Sequence, residues 1–454
     1  MSFLRAVGTW KYTREIQCKH PFIRQLSAAV HYRRLSTSTR TRVNSCPPLR
    51  DTRFTPRLFS RPIQVEKVED SVALKVHGEP LSFGSFWLRD NCQCSNCIHP
   101  DTRQRIGDTF SIPTDVSPEI KEYVHDEVKI RWSDGHQSTY SMEWLDLHRA
   151  RLGKDEKTPL SLRPFQSHTP GNESYPTVEF GQVMKHNEAL LEWLENIHKW
   201  GFCFVDNVPV GPDATQSLLE RISFIRHTHY GGFWDFTADL TYKDTAYTTD
   251  FLGAHTDNTY FTDPARLQLF HLLSHTDGHG GESLLVDGFK AAQVMMEENP
   301  EHCVVLAEHS QPTHSSGNED VCIQPNTEFP VFNTTKSGHL YQIRWNNYDR
   351  AAKTNWSVAD QKAWYAAAGH WSEVIRRPDM EIWTQLKPGS ALIFDNWRML
   401  HGRSDFIGKR RMCGGYINND DFLSRYRLLK FGRNQVLNHI GSSTAKENSP
   451  NMFF

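Results

Sequence analysis

The chain has 454 residues, 38% of them hydrophobic and 12% aromatic, enough for a substantial core, and no apolar run reaches the roughly 18 residues that a membrane span needs. Ten of the 51 Lys and Arg but one of the 53 Asp and Glu fall within residues 1–50, which leaves 41 bases against 52 acids and a net charge of −11 on the remainder. An acidic body argues against nucleic acid as a partner, because binding to phosphates runs on surplus positive charge.

The leader, with "YRRLSTSTRTR" near its end, is basic, almost free of acids and rich in Ser and Thr. That is the composition of a mitochondrial transit peptide. Residues 1–45 are therefore expected to be a transit peptide and linker, and the chain a matrix protein. A Pro/Arg-rich passage, "CPPLRDTRFTPRLFSRP", leads into the body. The cysteines number nine, an odd count in a long chain, which fits thiols in a reducing compartment better than a disulfide framework.

From 60 to 155 the text reads as a small β domain. "VKIRW" alternates, and Asp134–Gly135 is a hairpin turn signal. Within it "CQCSNC" crowds Cys92, Cys94 and Cys97, and "WSDGH" supplies His136. Three thiolates and an imidazole with no position left for water would make a closed structural zinc site; buried thiols without a metal are the plainer alternative. A polar connector then marks a boundary, and residues 172–430 form the larger domain, with 431–454 as a tail.

That domain opens with a helix over 180–200, ended by Gly201 before the strand "FCFVDNVPV". A second helix is predicted to start at Asp213, with Gln216 completing a capping-box pattern and Leu218, Ile222 and Ile225 on one face. Beyond Tyr242 the pattern is mainly β: "RLQLFHLL", "GESLLVDGF", "HLYQIRWN", "SALIFDN" and "RRMCGGYIN", interrupted by one helical insert over 359–376. Short strands with Gly/Pro turns and flanking helices predict a mainly β fold, a sandwich or jelly roll, and not a parallel α/β sheet.

The stretch "DTAYTTDFLGAHTDNTYF" contains His255 and Asp257, two apart, so an extended strand turns both to one face. His401 follows the apolar run "ALIF" and is expected on a loop at the mouth of a barrel. Two His and one carboxylate leave positions open on an octahedral metal, the arrangement of non-haem Fe(II) oxygenases, although zinc would also accept it. Nine residues past His401, Arg410 offers a planar fork suited to a carboxylate such as that of 2-oxoglutarate, and Ser283 could donate to the same group.

Taken together, "WLRDNC", "HYGGFW", "DTAYT", "HTDNTYF", "LLVDGF", "IRWNNYDRA" and "FDNWRMLHGR" resemble the 2-oxoglutarate-dependent oxygenases of carnitine biosynthesis, the trimethyllysine and γ-butyrobetaine dioxygenases. The resemblance implies a double-stranded β-helix core with iron on His255, Asp257 and His401, and 2-oxoglutarate on Arg410. It implies O2 as oxidant, ascorbate as a supporting reductant, and a homodimer. It also implies an aromatic cage of Tyr230, Trp234, Tyr247 and Tyr416 around a trimethylammonium group, which has no N–H and is best held by ring faces.

Asp244 stands where the resemblance gives butyrobetaine enzymes an Asn, and a carboxylate there would suit the α-ammonium that only trimethyllysine carries. Asn346 or Asn347 would hold the substrate carboxylate. The expectation is hydroxylation of N6,N6,N6-trimethyl-L-lysine at C3. Hydroxylation of γ-butyrobetaine, with which the cysteine set agrees better, is the near alternative, and a non-catalytic zinc-binding interaction protein the distant one.

Overall fold

A computed structural model of the chain describes residues 70–149, 160–163, 165–169, 171, 174–237, 248–353 and 355–441. The leader, Asp244 and Tyr247 lie outside the described residues.

The strand Ser390–Asp395 (SALIFD) explains why its sequence is apolar without alternation. Leu392 and Phe394 point into a cluster between two sheets, while Ala391 and Ile393 pack under helices, so both faces are buried. One sheet has six strands, in the order Thr177–Glu179, Phe202–Asp206, Ser390–Asp395, Leu267–Thr276, Lys409–Ile417 and Trp234–Thr237. The other has four: Glu381–Thr384, Ser283–Asp287, Met399–Arg403 and Leu252–His255. Phe202, Phe204, Leu272, Leu392 and Phe394 of the first meet Leu285, Ile382 and Met399 of the second. Helices cover the outer faces: Asn187–Trp200, Pro212–Ile222 and Asn419–Phe431 on the six-stranded sheet, Gly288–Glu298, Pro300–Glu308 and Val358–Val374 on the four-stranded one. This two-sheet β sandwich flanked by helices is the expected mainly β, jelly-roll type of fold.

Ahead of it, residues 72–145 enclose their own cluster around Leu74, Leu88, Ile130, Trp132 and Tyr140. The strands Ser71–Val76 and Glu127–Trp132 alternate exposed and buried residues, as expected of sheets with one wet face. The Asp134–Gly135 hairpin forms, with Gly135 at φ 81°, and it delivers His136 at the start of the strand Gln137–Ser141.

Three local expectations are corrected. Residues 180–200 form two helices, Phe180–Lys185 and Asn187–Trp200, because His186 is extended between them. The next helix starts one turn signal earlier than Asp213: Gly211 is its N-cap and Pro212 its first residue, where a missing N–H costs nothing. It ends at Ile222, so Ile225 lies beyond it and bridges to Ile417. No helix among the described residues is long and apolar enough to cross a membrane.

Candidate active site

His401 sits inside the strand Met399–Arg403, not on a loop. Alternation explains its orientation: Met399 faces the inter-sheet cluster and Leu400 the outer helices, so His401 and Arg403 face inward. The neighbouring strand ends at His255, which pairs in register with His401. Asp257 follows just past that strand end. Its Oδ1 lies 3.3 Å from His255 Nε2 and 3.6 Å from His401 Nε2. The three ligand atoms fall within 4.8 Å of one another.

The surroundings prepare each donor. His255 Nδ1–H donates to the Gly253 carbonyl at 2.8 Å, which fixes the tautomer and leaves the Nε2 lone pair toward the cluster. Asp257 Oδ2 accepts from Gln268 Nε2 at 2.7 Å and from the Tyr416 hydroxyl at 2.8 Å, so Oδ1 is the oxygen left for a cation. Asn396 clamps the aspartate backbone, accepting from Asp257 N–H at 2.7 Å and donating to its carbonyl at 3.1 Å. The His401 ring is held by Phe394 and Phe270, at ring-centroid distances of 4.8 and 5.8 Å.

Burial opposes a charge on His255, but the hydrogen bond to Asp257 and its charge outweigh it and raise the ring's hold on a proton, with which a cation at the centre would compete. Burial opposes the Asp257 charge, but the His401 and His255 rings and the Tyr416 hydroxyl outweigh it and hold the carboxyl well below its usual range. Burial, then the neighbouring His255, pushes His401 down to about 3, so its imidazole is neutral and can donate a lone pair at physiological pH. Two imidazole nitrogens and one carboxylate oxygen, buried and converging, fit iron and leave further coordination positions open.

A cleft of about 1010 Å³, open mouth included, runs past these residues. Arg410 lines it and is buried, yet its Nε has no hydrogen-bond partner and no ion pair to it is found among the described residues. Burial, and secondarily Arg403, lowers it to about 10, so it stays charged. A buried guanidinium without an anion is costly, and a cavity beside it supplies the place for one. Gly281, at φ 71°, makes room: a Cβ there would come 3.2 Å from Arg410 Nε. Ser283 faces the same cavity. Arg403 takes a different role, donating to the Thr248 and Asp250 carbonyls at 2.8 and 2.9 Å.

Of the aromatic residues singled out, Tyr230, Trp234 and Tyr416 all line the cleft. Trp234 and Tyr416 lie 6.2 Å apart, edge to face. Trp234 rests on Gly414, where a Cβ would come 2.4 Å from its ring. Asn346 lines the cleft, but Asn347 does not; its side chain accepts from Arg350 Nε at 3.2 Å. Residues the sequence did not single out also line the wall, notably Gln268, Tyr260, Phe270 and Asp349. Gln268 carried a signal, a lone polar residue in the apolar strand "RLQLFHLL".

Cys92, Cys94 and Cys97 converge on His136 Nε2, with Sγ distances of 3.3, 3.6 and 3.5 Å. Burial pushes the Cys92 thiol up to about 12, a barrier to ionisation that a cation held among these four side chains would reverse. Arg89 stands beside them, 3.7 Å from Cys97 Sγ and paired with Asp134.

Residues 161–416 match the family described as taurine catabolism dioxygenase TauD, TfdA, and residues 63–146 match the gamma-butyrobetaine hydroxylase-like N-terminal family. The chain is 43% identical to trimethyllysine dioxygenase of Neurospora crassa, over 80% of this chain and 84% of that one. It is 37% identical to mitochondrial trimethyllysine dioxygenase of Homo sapiens, over 80% and 86%. Gamma-butyrobetaine dioxygenase of a Pseudomonas species is more distant, at 31% identity over 78% and 92%. The chain belongs to the trimethyllysine and γ-butyrobetaine dioxygenase family of TauD-type, iron- and 2-oxoglutarate-dependent oxygenases.

Proposed function

We propose that the protein hydroxylates N6,N6,N6-trimethyl-L-lysine at C3, with Fe(II) on His255, Asp257 and His401, the first step of carnitine biosynthesis. The observation that carries this reading is the convergence, in one cleft, of that triad, an aromatic wall and the anion-seeking Arg410. Bound iron supplies the means to insert one oxygen atom of O2 into a C–H bond while 2-oxoglutarate takes the other and leaves as succinate and CO2.

The chain's own contribution is position. Arg410, with Ser283, grips the co-substrate carboxylate remote from iron. Tyr230, Trp234 and Tyr416 hold the trimethylammonium by their faces, each worth up to about 2 kcal/mol when desolvated. Tyr247 completes the cage and Asp244 meets the α-ammonium in this proposal, both outside the described residues. Asn346 takes the substrate carboxylate. Held at both ends, the chain presents C3 to the metal, and selectivity comes from that grip.

The higher identity to trimethyllysine than to γ-butyrobetaine dioxygenases supports this substrate. The match of residues 63–146 to a butyrobetaine-type module favours γ-butyrobetaine as a second reading. Purified protein with Fe(II), 2-oxoglutarate and ascorbate, offered both betaines side by side, separates them. Preferred turnover of trimethyllysine is expected; preference for γ-butyrobetaine overturns the proposal. Ascorbate keeps the iron ferrous, a homodimer is the expected assembly, and the basic leader directs the chain to the mitochondrial matrix, in line with the mitochondrial mammalian relatives.

Zinc on Cys92, Cys94, Cys97 and His136 belongs to the same proposal. Structural zinc in small modules contributes roughly 10–16 kcal/mol of apparent binding free energy, so its loss unfolds them. Metal analysis of the full chain is expected to find one zinc that survives chelation mild enough to strip iron. Cys97→Ser removes that zinc and lowers the melting temperature; zinc-free protein with an unchanged melting transition contradicts the assignment.

A further inference from the structure

Two buried amide oxygens of the cleft wall, Asn258 Oδ1 and Gln268 Oε1, have no hydrogen-bond partner among the described residues. A buried acceptor left unmade costs free energy, so each marks a place where a donor is wanted. Gln268 stands on the cage side: its Nε2 donates to Asp257 Oδ2 at 2.7 Å and lies 3.5 Å from the hydroxyl of Tyr416, a cage ring. A trimethylammonium brings no N–H to that side.

Asn258 stands differently. It follows Asp257 directly in the chain and is 1% exposed. Its backbone is left-handed, at φ 59°, a conformation that Asn tolerates better than most residues, and the Phe261 N–H donates to its carbonyl at 2.9 Å. The turn runs beside the segment that carries Asn346. There the Thr256 N–H donates to the Trp345 carbonyl at 2.7 Å, and the Trp345 N–H to Thr256 Oγ1 at 3.0 Å. Asn258 Nδ2 donates to the Tyr260 hydroxyl at 3.4 Å, and that hydroxyl lies 3.3 Å from the hydroxyl of Tyr230. With Nδ2 engaged, Oδ1 is the atom left for a ligand.

This inference rests on the trimethyllysine reading. The aromatic cage satisfies the trimethylammonium, but the α-ammonium has three N–H donors that must be met when water is expelled. The atom to be oxidised, C3, is bonded to the carbon that bears this ammonium, so acceptors for it belong close to the metal ligands. Asn258 meets that requirement as the neighbour of Asp257 in the chain. It also faces the same cleft as Asn346, which takes the adjacent carboxylate in the proposed binding mode.

We infer that Asn258 is a specificity-determining residue whose Oδ1 accepts an N–H of the substrate's α-ammonium, next to the α-carboxylate on Asn346. Asp244 is left to receive the other N–H groups. A betaine without the α-amine leaves the Asn258 oxygen buried and unpaired, which disfavours it.

The test compares trimethyllysine with 6-(trimethylammonio)hexanoate, the same chain without the α-amine, on the iron-loaded full-length enzyme. Each is read as a KM or, for a compound not turned over, as an inhibition constant. Asn258→Gly keeps the left-handed backbone and deletes the amide. Its affinity for trimethyllysine is expected to fall about 10- to 100-fold, as for loss of a hydrogen bond to a charged group, with little change for the des-amino compound. Asn258→Asp also tolerates the backbone and still offers an acceptor, so the preference for trimethyllysine should be kept or increased. Co(II) titration should give the same affinity for wild type and Asn258→Gly, because Asp257 keeps its bonds to Gln268, Tyr416 and Asn396.

Equal losses on both compounds in Asn258→Gly, or weakened Co(II) binding, would make Asn258 a turn residue and overturn the inference alone. Loss of both compounds in Asn258→Asp would mean that the amide donates to the carboxylate they share, which overturns it equally. Wild-type protein that hydroxylates γ-butyrobetaine and not trimethyllysine overturns the substrate reading, and the inference with it.

Discussion

Asp257→Ala is expected to abolish both hydroxylation and succinate release, because it removes the one oxygen ligand of the metal set. Asp257 Oδ1 lies 3.3 and 3.6 Å from the two imidazole Nε2 atoms. Without it, two imidazoles remain, and one carboxylate fewer balances the metal's charge. The loss should exceed the roughly 10- to 100-fold cost typical of removing an outer hydrogen-bond partner of a ligand. Tyr416→Phe provides that smaller, graded comparison. It keeps an aromatic ring on the cleft wall but deletes the hydroxyl that donates to Asp257 Oδ2 at 2.8 Å, leaving Gln268 as the remaining donor. Fe(II) or Co(II) titration reads both variants without turnover. Metal affinity in Asp257→Ala equal to wild type would remove the aspartate from the site.

Arg410→Ala should strike the co-substrate alone. Truncating one partner of a buried, hydrogen-bonded charge pair costs about 2–5 kcal/mol, or roughly 30- to several-thousand-fold in affinity. The KM for 2-oxoglutarate is therefore expected to rise by that factor, while metal affinity is retained. Arg410→Lys keeps the charge but loses the planar two-point grip, so an intermediate KM is expected. Stability should move the other way. In the absence of an anion, the Arg410 guanidinium is buried without a hydrogen bond at Nε. Removing it relieves a desolvation cost, and the melting temperature of the apo protein should hold or rise. A lower melting temperature with an unchanged KM would mean that Arg410 supports the fold and not the co-substrate.

The site was readable in the sequence wherever chemistry demands a particular residue type at a fixed spacing. His255, Asp257, His401 and Arg410 are such a set, and the structure brings all four to one cleft. What escaped were the residues that act on these. Gln268 and Asn396 hold Asp257 from strands and turns more than ten residues away, and nothing local in the sequence marks a side chain for a distant partner. Asp349 was hidden in a quoted motif for the same reason, since its bonds to Thr259 and Asn346 depend on two loops meeting.

The fold shows a parallel limit. Residues such as Ala391 to Phe394 are buried on both faces, so hydrophobicity announces a strand but not which side chain faces the site. That is why His401 was expected on a loop: a polar residue after an apolar run reads as a strand end, whereas here it lies on the inward face of the next strand, two residues after Met399. Helix boundaries failed where a stronger local signal competed. Pro212 outranked the capping-box pattern at Asp213, and the extended His186 split a helix whose apolar spacing alone looked continuous.

The cleft is expected to oxidise one carbon of one betaine. The most direct measurement is the NMR structure of the product formed from trimethyllysine, Fe(II), 2-oxoglutarate and O2 by the full-length protein, with succinate measured in the same reaction. A hydroxyl on C3 only, with succinate formed in equal amount, is expected. Hydroxylation at another carbon, or succinate released without a hydroxylated product, would contradict it.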